Sequence, residues 1–179
     1  MVGIEEIKPD EALFDRLCVM FGKSGLIKRY LELARRYEAP DREDGPGPNM
    51  KNLVKIIQSH HANAKLFSKW RVIEMCSETI NGWWWTGKLV MKRYNVIEIQ
   101  FEGHNGILGV GSNLSHIWGV ASRLVPDVQP PSGPLPYPQI AYDNDEERLD
   151  RMMGEIVRYF DEVKDVIRHD LADFPKGTL

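Results

Sequence analysis

The residues whose types and order come nearest to a catalytic set are Glu102, His104, Asn113 and His116. A strand ending in Glu102-Gly103-His104, a hairpin turn, and a helix carrying Asn113 and His116 has the order of a ββα metal-dependent nuclease site. In such a site a histidine activates water and helix side chains hold a divalent ion. Three things weigh against it. The strand and turn between the histidines are very short, no zinc-type cysteine pairs brace the loop, and a basic DNA-gripping face is missing. A metal-dependent hydrolase on these four residues is therefore the alternative reading. No catalytic, metal or cofactor residue is assigned, and no cofactor is expected.

Other chemical motifs fail on spacing. Gly22-Lys23-Ser24 looks like the end of a phosphate-binding loop, but the glycine needed five residues earlier is Leu17, and the preceding segment reads as helix. Gly103, Gly106, Gly109 and Gly111 do not make a dinucleotide fingerprint, because the third glycine would have to stand at Leu114. His60 and His61 are adjacent on a helical stretch, so they point in different directions and cannot share a metal. His169 falls near a helix end, where an imidazole complements the dipole. Glu98 and Glu102 share a strand face about 13 Å apart, wider than either glycosidase geometry; Lys88 and Lys92 across a hairpin balance their charge. Cys18 and Cys76 lie in apolar periodic stretches without metal spacing and read as reduced core residues.

The elements that position these residues follow from periodicity. Leu13, Phe14, Leu17, Cys18 and Phe21 recur at helical spacing after Pro9-Asp10 and stop at Gly22. Leu26, Ile27, Tyr30, Leu31, Ala34 and Tyr37 repeat the pattern. Residues 38–49, with three prolines and two glycines, read as a mobile connector. Residues 50–79 read as one broken helix or two, with Leu53, Val54, Ile57 and His61 in one phase and Leu66, Phe67, Trp70 and Ile73 in the next. From residue 83 the period changes to 2, giving strands over 83–92 and 96–102 joined at Arg93-Tyr94-Asn95. Asn105-Gly106 then predicts a second hairpin turn and a third strand from Ile107. Ser112-Asn113 caps a short helix that Pro126 closes. Residues 126–138 hold six prolines and predict an extended strap. A long helix follows Asp143 to Asp145, with Leu149, Met152, Met153, Ile156, Phe160, Val163 and Ile167 on one face.

The fold class expected is α+β, a single domain over residues 1–179. In it a three-stranded antiparallel β-meander packs on one face against N-terminal helices and a long C-terminal helix. Trp83, Trp84 and Trp85 cannot all point one way, since neighbouring strand residues face opposite sides. Parity sends Trp83, Trp85, Leu89, Met91, Ile97, Ile99 and Phe101 inward and Trp84 outward. Pairing through the two turns places Trp84 beside His104 and Ile107, Thr86 beside Glu102 and Gly109, and Lys88 beside Gln100 and Gly111. The partner-binding residues expected are Trp84, Thr86, Lys88, Gln100, Glu102 and His104, a tryptophan among charged and amide neighbours being the usual make-up of a hot spot. Two alternatives would hide that face: Trp84 folding over Gly109, or the strap lying across it.

Composition bounds the partners. The chain of 179 residues has 26 acidic and 23 basic side chains and a net charge of -3, so no general nucleic-acid binding is expected, although local patches are not excluded. The N-terminus is acidic and no apolar run reaches spanning length, so a cytoplasmic protein away from the membrane is expected. The leading expectation is a non-enzymatic binding module of the inhibitor, immunity or adaptor type, engaging a protein partner through the outer face of residues 83–111. A homo-oligomer using that face or the long helix is a third reading.

Overall fold

The computed structural model describes residues 7–38, 49–60, 63–92, 96–130, 140–141 and 145–170. In chain order these form β1 (Lys8–Pro9), α1 (Glu11–Lys23), α2 (Leu26–Arg36), α3 (Met50–His60), β2 (Lys65–Phe67) and a 3₁₀ turn (Ser68–Trp70). There follow β3 (Val72–Ile80), β4 (Trp83–Met91), β5 (Val96–His104), β6 (Leu108–Asn113), α4 (Leu114–Leu124), β7 (Ile140–Ala141) and α5 (Glu146–Asp170). Most of the connector at 38–49, the Arg93-Tyr94-Asn95 loop and most of the strap at 126–138 lie outside the described residues.

The three-stranded meander is corrected by the sheet itself. Among the described residues seven strands form it, in the order β1-β6-β5-β4-β3-β2, with β7 pairing the start of β5. β1 runs parallel to β6 and every other pair is antiparallel, so the sheet is mixed. The largest departure is at residues 65–80, which form β2, the 3₁₀ turn and β3 instead of an α-helix. A β-bulge between Glu74 and Cys76 shifts the alternation midway, and Glu78 on the inner side pairs with Arg168 of α5. Both features erase the period-2 signal of a half-buried strand. Asn81 (φ 53°) and Gly82 (φ 76°) link β3 to β4 in a two-residue loop with positive φ at both positions, the I′ arrangement that Asn-Gly favours.

The parity read for β4 and β5 holds. Trp83, Trp85, Leu89, Met91, Ile97, Ile99 and Phe101 are buried. Trp83 stacks on Trp85 with centroids 5.8 Å apart, Trp85 on Phe101 at 5.4 Å, and Phe101 meets Phe21 of α1 at 6.0 Å. The stack has room because glycine stands where it needs depth. A Cβ on Gly103, the cross-strand partner of Trp85, would fall inside that indole, and one on Gly87 would lie 2.5 Å from the Phe160 ring of α5.

The helices gather on this inner side. α1 opens on Asp10, whose Oδ1 accepts the Leu13 amide at 2.9 Å, and α4 opens on Asn113, whose Oδ1 accepts the His116 amide at 2.8 Å. Tyr30 of α2 and Ser115 of α4 share a hydrogen bond of 2.9 Å. Of the strap, Val128 packs against the core, and Gln129 accepts the Trp118 indole N–H at 2.8 Å. These residues therefore lie with the helices and leave the opposite sheet face alone. α5, about 38 Å long at 1.5 Å per residue, buries the seven face residues read from its sequence. Its exposed side reaches α2 through Arg36–Glu155 at 2.6 Å and α3 through His60–Asp150 at 2.9 Å.

Cys18 and Cys76 are free and buried. Desolvation is the main cause that pushes the Cys18 thiol up to about 12, with Asp15 adding to it; burial raises Cys76 as well. At pH 8 both are protonated and shielded, so neither should react with an aromatic disulfide reagent in the native protein, and both should react in urea. Absorbance titration of released thiolate counts them. A second expectation follows from the glycines. Gly103→Ala should cost about 1–3 kcal/mol by overpacking. Gly109→Ala, whose Cβ would press closely only on the Cγ2 methyl of the exposed Ile7, should cost clearly less, both measured by urea unfolding.

Candidate binding face on the open side of the sheet

With the helices on one side, the other side presents cross-strand rows. Thr79, Trp84, His104 and Gly109 form one row, continued by Pro9 of β1. Ser77, Thr86, Glu102 and Gly111 form the next. Lys65, Glu74, Lys88, Gln100 and Asn113 form the third, and Phe67, Val72, Val90 and Glu98 the fourth. Among the described residues no helix crosses these rows.

The pairing of β4 with β5 is the one expected, Trp84 opposite His104, Thr86 opposite Glu102 and Lys88 opposite Gln100. The third strand is displaced by two residues, so His104 faces Gly109 and Glu102 faces Gly111. The cause is the turn. Asn105 is a paired residue whose amide donates to Leu108 O at 3.1 Å and whose Oδ1 accepts the amides of Ile107 and Leu108. The loop residues are thus Gly106, with φ 90°, and Ile107. A turn moved by one residue moves the pairing by two, which preserves the faces. Gly109 is not covered by Trp84. Ile7, at the start of the parallel β1 segment, rests against it instead.

The six expected contact residues differ in what they offer. Trp84 is 39% exposed. Lys88 and Glu102 form an ion pair with each other, and Gln100 donates to Glu98 at 2.6 Å. Lys92 pairs with Glu98 at 3.4 Å and Lys65 with Glu74 at 3.9 Å, so these charges of the face are paired within and between neighbouring rows. Exposed pairs of this kind contribute little to stability. His104 is half-buried beside Trp84, and its Nδ1 is buried with no hydrogen-bond partner among the described residues. Thr86 is only 5% exposed, so it supplies little surface despite its outward position. Sequence reasoning missed the β3 and β2 contributions to these rows, Thr79, Ser77, Glu74, Val72, Phe67 and Lys65. The signal that could have found them was Asn81-Gly82 directly before the tryptophans.

Of the four residues of the hydrolase alternative, Glu102, His104 and Asn113 stand in rows of the open face, and His116 stands apart from these rows. Glu102 and His104 stand on the open face, with Glu102 engaged by Lys88. Asn113 is engaged as the α4 cap. His116 belongs to the helix layer, its ring 5.2 Å from Phe14 of α1 and its Nδ1 2.8 Å from Ser112 Oγ. Among the described residues no group of three or more His, Cys, Asp or Glu side chains is placed to hold a metal ion, and no helix is long and apolar enough to cross a membrane. Comparison of the chain with protein-family models, with curated proteins and with solved structures gives no match. The assignment therefore rests on the geometry of an α+β chain with one helix-covered and one open sheet face.

The two tryptophan environments predict different costs. Trp85→Ala, in the stacked core, should destabilise by about 3–5 kcal/mol. Trp84→Ala, partly exposed, should cost roughly 1 kcal/mol or less. Equilibrium urea unfolding of both variants compares them, and equal costs would place Trp84 in the packing.

Proposed function

We propose that this chain is a binding module that engages a protein partner through the open face of the sheet, with Trp84 as its anchor. The observation that carries the reading is the position of that indole. It is the large aromatic side chain of β4 that parity turns away from the helices, and it stands 39% exposed beside His104 and Thr79. The rest of the face carries carboxylates, ammonium groups and amides already paired with one another, a polar surround that leaves few charges stranded when an aromatic anchor excludes water. From Trp84 to Val90 the face runs about 20 Å, and five strands make it about 19 Å wide. The flat projection of about 400 Å² is near half of what one side of a standard interface buries.

Affinity capture from native lysate with immobilised wild type and Trp84→Ala, followed by titration of the purified captured protein, tests this. The expected result is one partner retained by wild type and bound at least tenfold more weakly by Trp84→Ala. If purified wild type and variant bind it equally, the open face is not anchored at Trp84.

A further inference from the structure

Deepening the reading of the open face as a protein contact, we infer that the partner presents an acidic segment bearing an apolar side chain to the corner formed by β2 and the turn after it. Two of the most exposed large apolar side chains in the described structure lie here within four residues, Phe67 at 46% and Trp70 at 66%. Phe67 begins the row that continues through Val72 and Val90, so the corner prolongs the open face at the end away from Trp84. The backbone holds it firmly. β2 pairs with β3, the Arg71 amide donates to Ser68 O at 3.2 Å, and Arg71 O accepts the Met91 amide at 3.0 Å. Arg71 adopts a left-handed φ of 51°, which turns the chain sharply between Trp70 and β3. Anchors presented on a fixed frame lose little entropy on binding.

Charge names the occupant. Residues 45–73 contain no Asp or Glu and carry Lys51, Lys55, Lys65, Lys69 and Arg71, in a chain whose net charge is -3. All five of these cations are exposed, and three of them, Lys65, Lys69 and Arg71, form the cluster on β2 and the turn after it. Lys69 sits over the Trp70 ring at 4.8 Å, and Glu74 pairs with Lys65 across β2 and β3 at 3.9 Å. The cluster does not continue as a track along which a phosphate chain could run, because the next cations, Lys88 and Lys92, are taken by Glu102 and Glu98. Those same carboxylates would be pressed against the headgroups if the face lay on an anionic bilayer. A short run of carboxylates around one apolar side chain matches both the cations and the exposed rings.

The test uses three fluorescein-labelled 15-residue peptides with a central Phe-Leu pair, flanked by Glu, Ser or Lys, titrated by anisotropy. The Glu peptide should bind wild type at least tenfold more tightly than the Ser peptide, and more weakly as salt rises. Lys69→Glu with Arg71→Glu, and separately Trp70→Ala, should each weaken it about tenfold or more; all three side chains are exposed, so folding is not at stake. The inference is overturned if no peptide binds, if Glu and Ser peptides bind alike, or if a 15-mer of deoxythymidine or phosphatidylserine vesicles bind more tightly at the same ionic strength. Lys28→Glu, an equal charge change at an exposed residue of α2 in the helix layer, should leave the Glu peptide's affinity unchanged, and a loss there would move its site off the corner. Because the capture experiment turns on Trp84 and this one on Trp70, Lys69 and Arg71, failure of one reading is separable from failure of the other.

Discussion

The structure depends on the stack that runs from Trp83 through Trp85 and Phe101 to Phe21. Three consecutive tryptophans on a strand can put at most two rings on one side, and two indoles two residues apart demand depth beneath them. Gly103 under Trp85 and Gly87 under Phe160 supply it. Bulk on the inner face and glycine at its deepest points are one constraint seen from two strands. With the large rings committed inward, the helices that bury them must come to that side, and the other side is left as a half-polar sheet.

How much of this could be read in advance depended on whether a signal was local. The inward set of β4 and β5 was legible because alternation is a strand's own property and the first hairpin keeps its register. The faces survived even where the second register did not, since the error was two residues and a face repeats every two. β3 was illegible because its bulge breaks the alternation and its inward Glu78 is acceptable only in the presence of Arg168, ninety residues away. No local pattern announces that partner. β1 was missed for a different reason: two residues paired parallel to β6 have no period to show. Of the candidate face, the Trp84, Lys88, Gln100, Glu102 and His104 positions were legible, whereas Thr86 was read as surface and is buried by its neighbours.

The same long-range pairings bear on how the sheet meets other molecules. β2 covers only Val72 to Glu74 of β3, so among the described residues the stretch from Cys76 to Ile80 has no strand beyond it. An unpaired edge invites strand addition, but this one begins at a bulge and carries a charged residue turned inward, two of the devices by which proteins blunt edges. The opposite edge ends in a two-residue strand containing Pro9, which has no amide to offer. Approach by edge pairing is therefore disfavoured at both sides.

That leaves the face, and the face is uneven in what it can contribute. Its charges cancel across strands, through Lys88–Glu102 and Lys92–Glu98, so desolvating its centre returns little electrostatic gain. Apolar surface stands at the ends, Trp84 in one row and Phe67, Val72 and Val90 three rows away, with Trp70 beyond them. Covering only the Trp84 end would bury a single aromatic ring against a polar surround, and covering only the other end would bury Phe67 and Trp70. On the proposed reading, a partner that engages both ends presents a surface reaching about 20 Å along the strands.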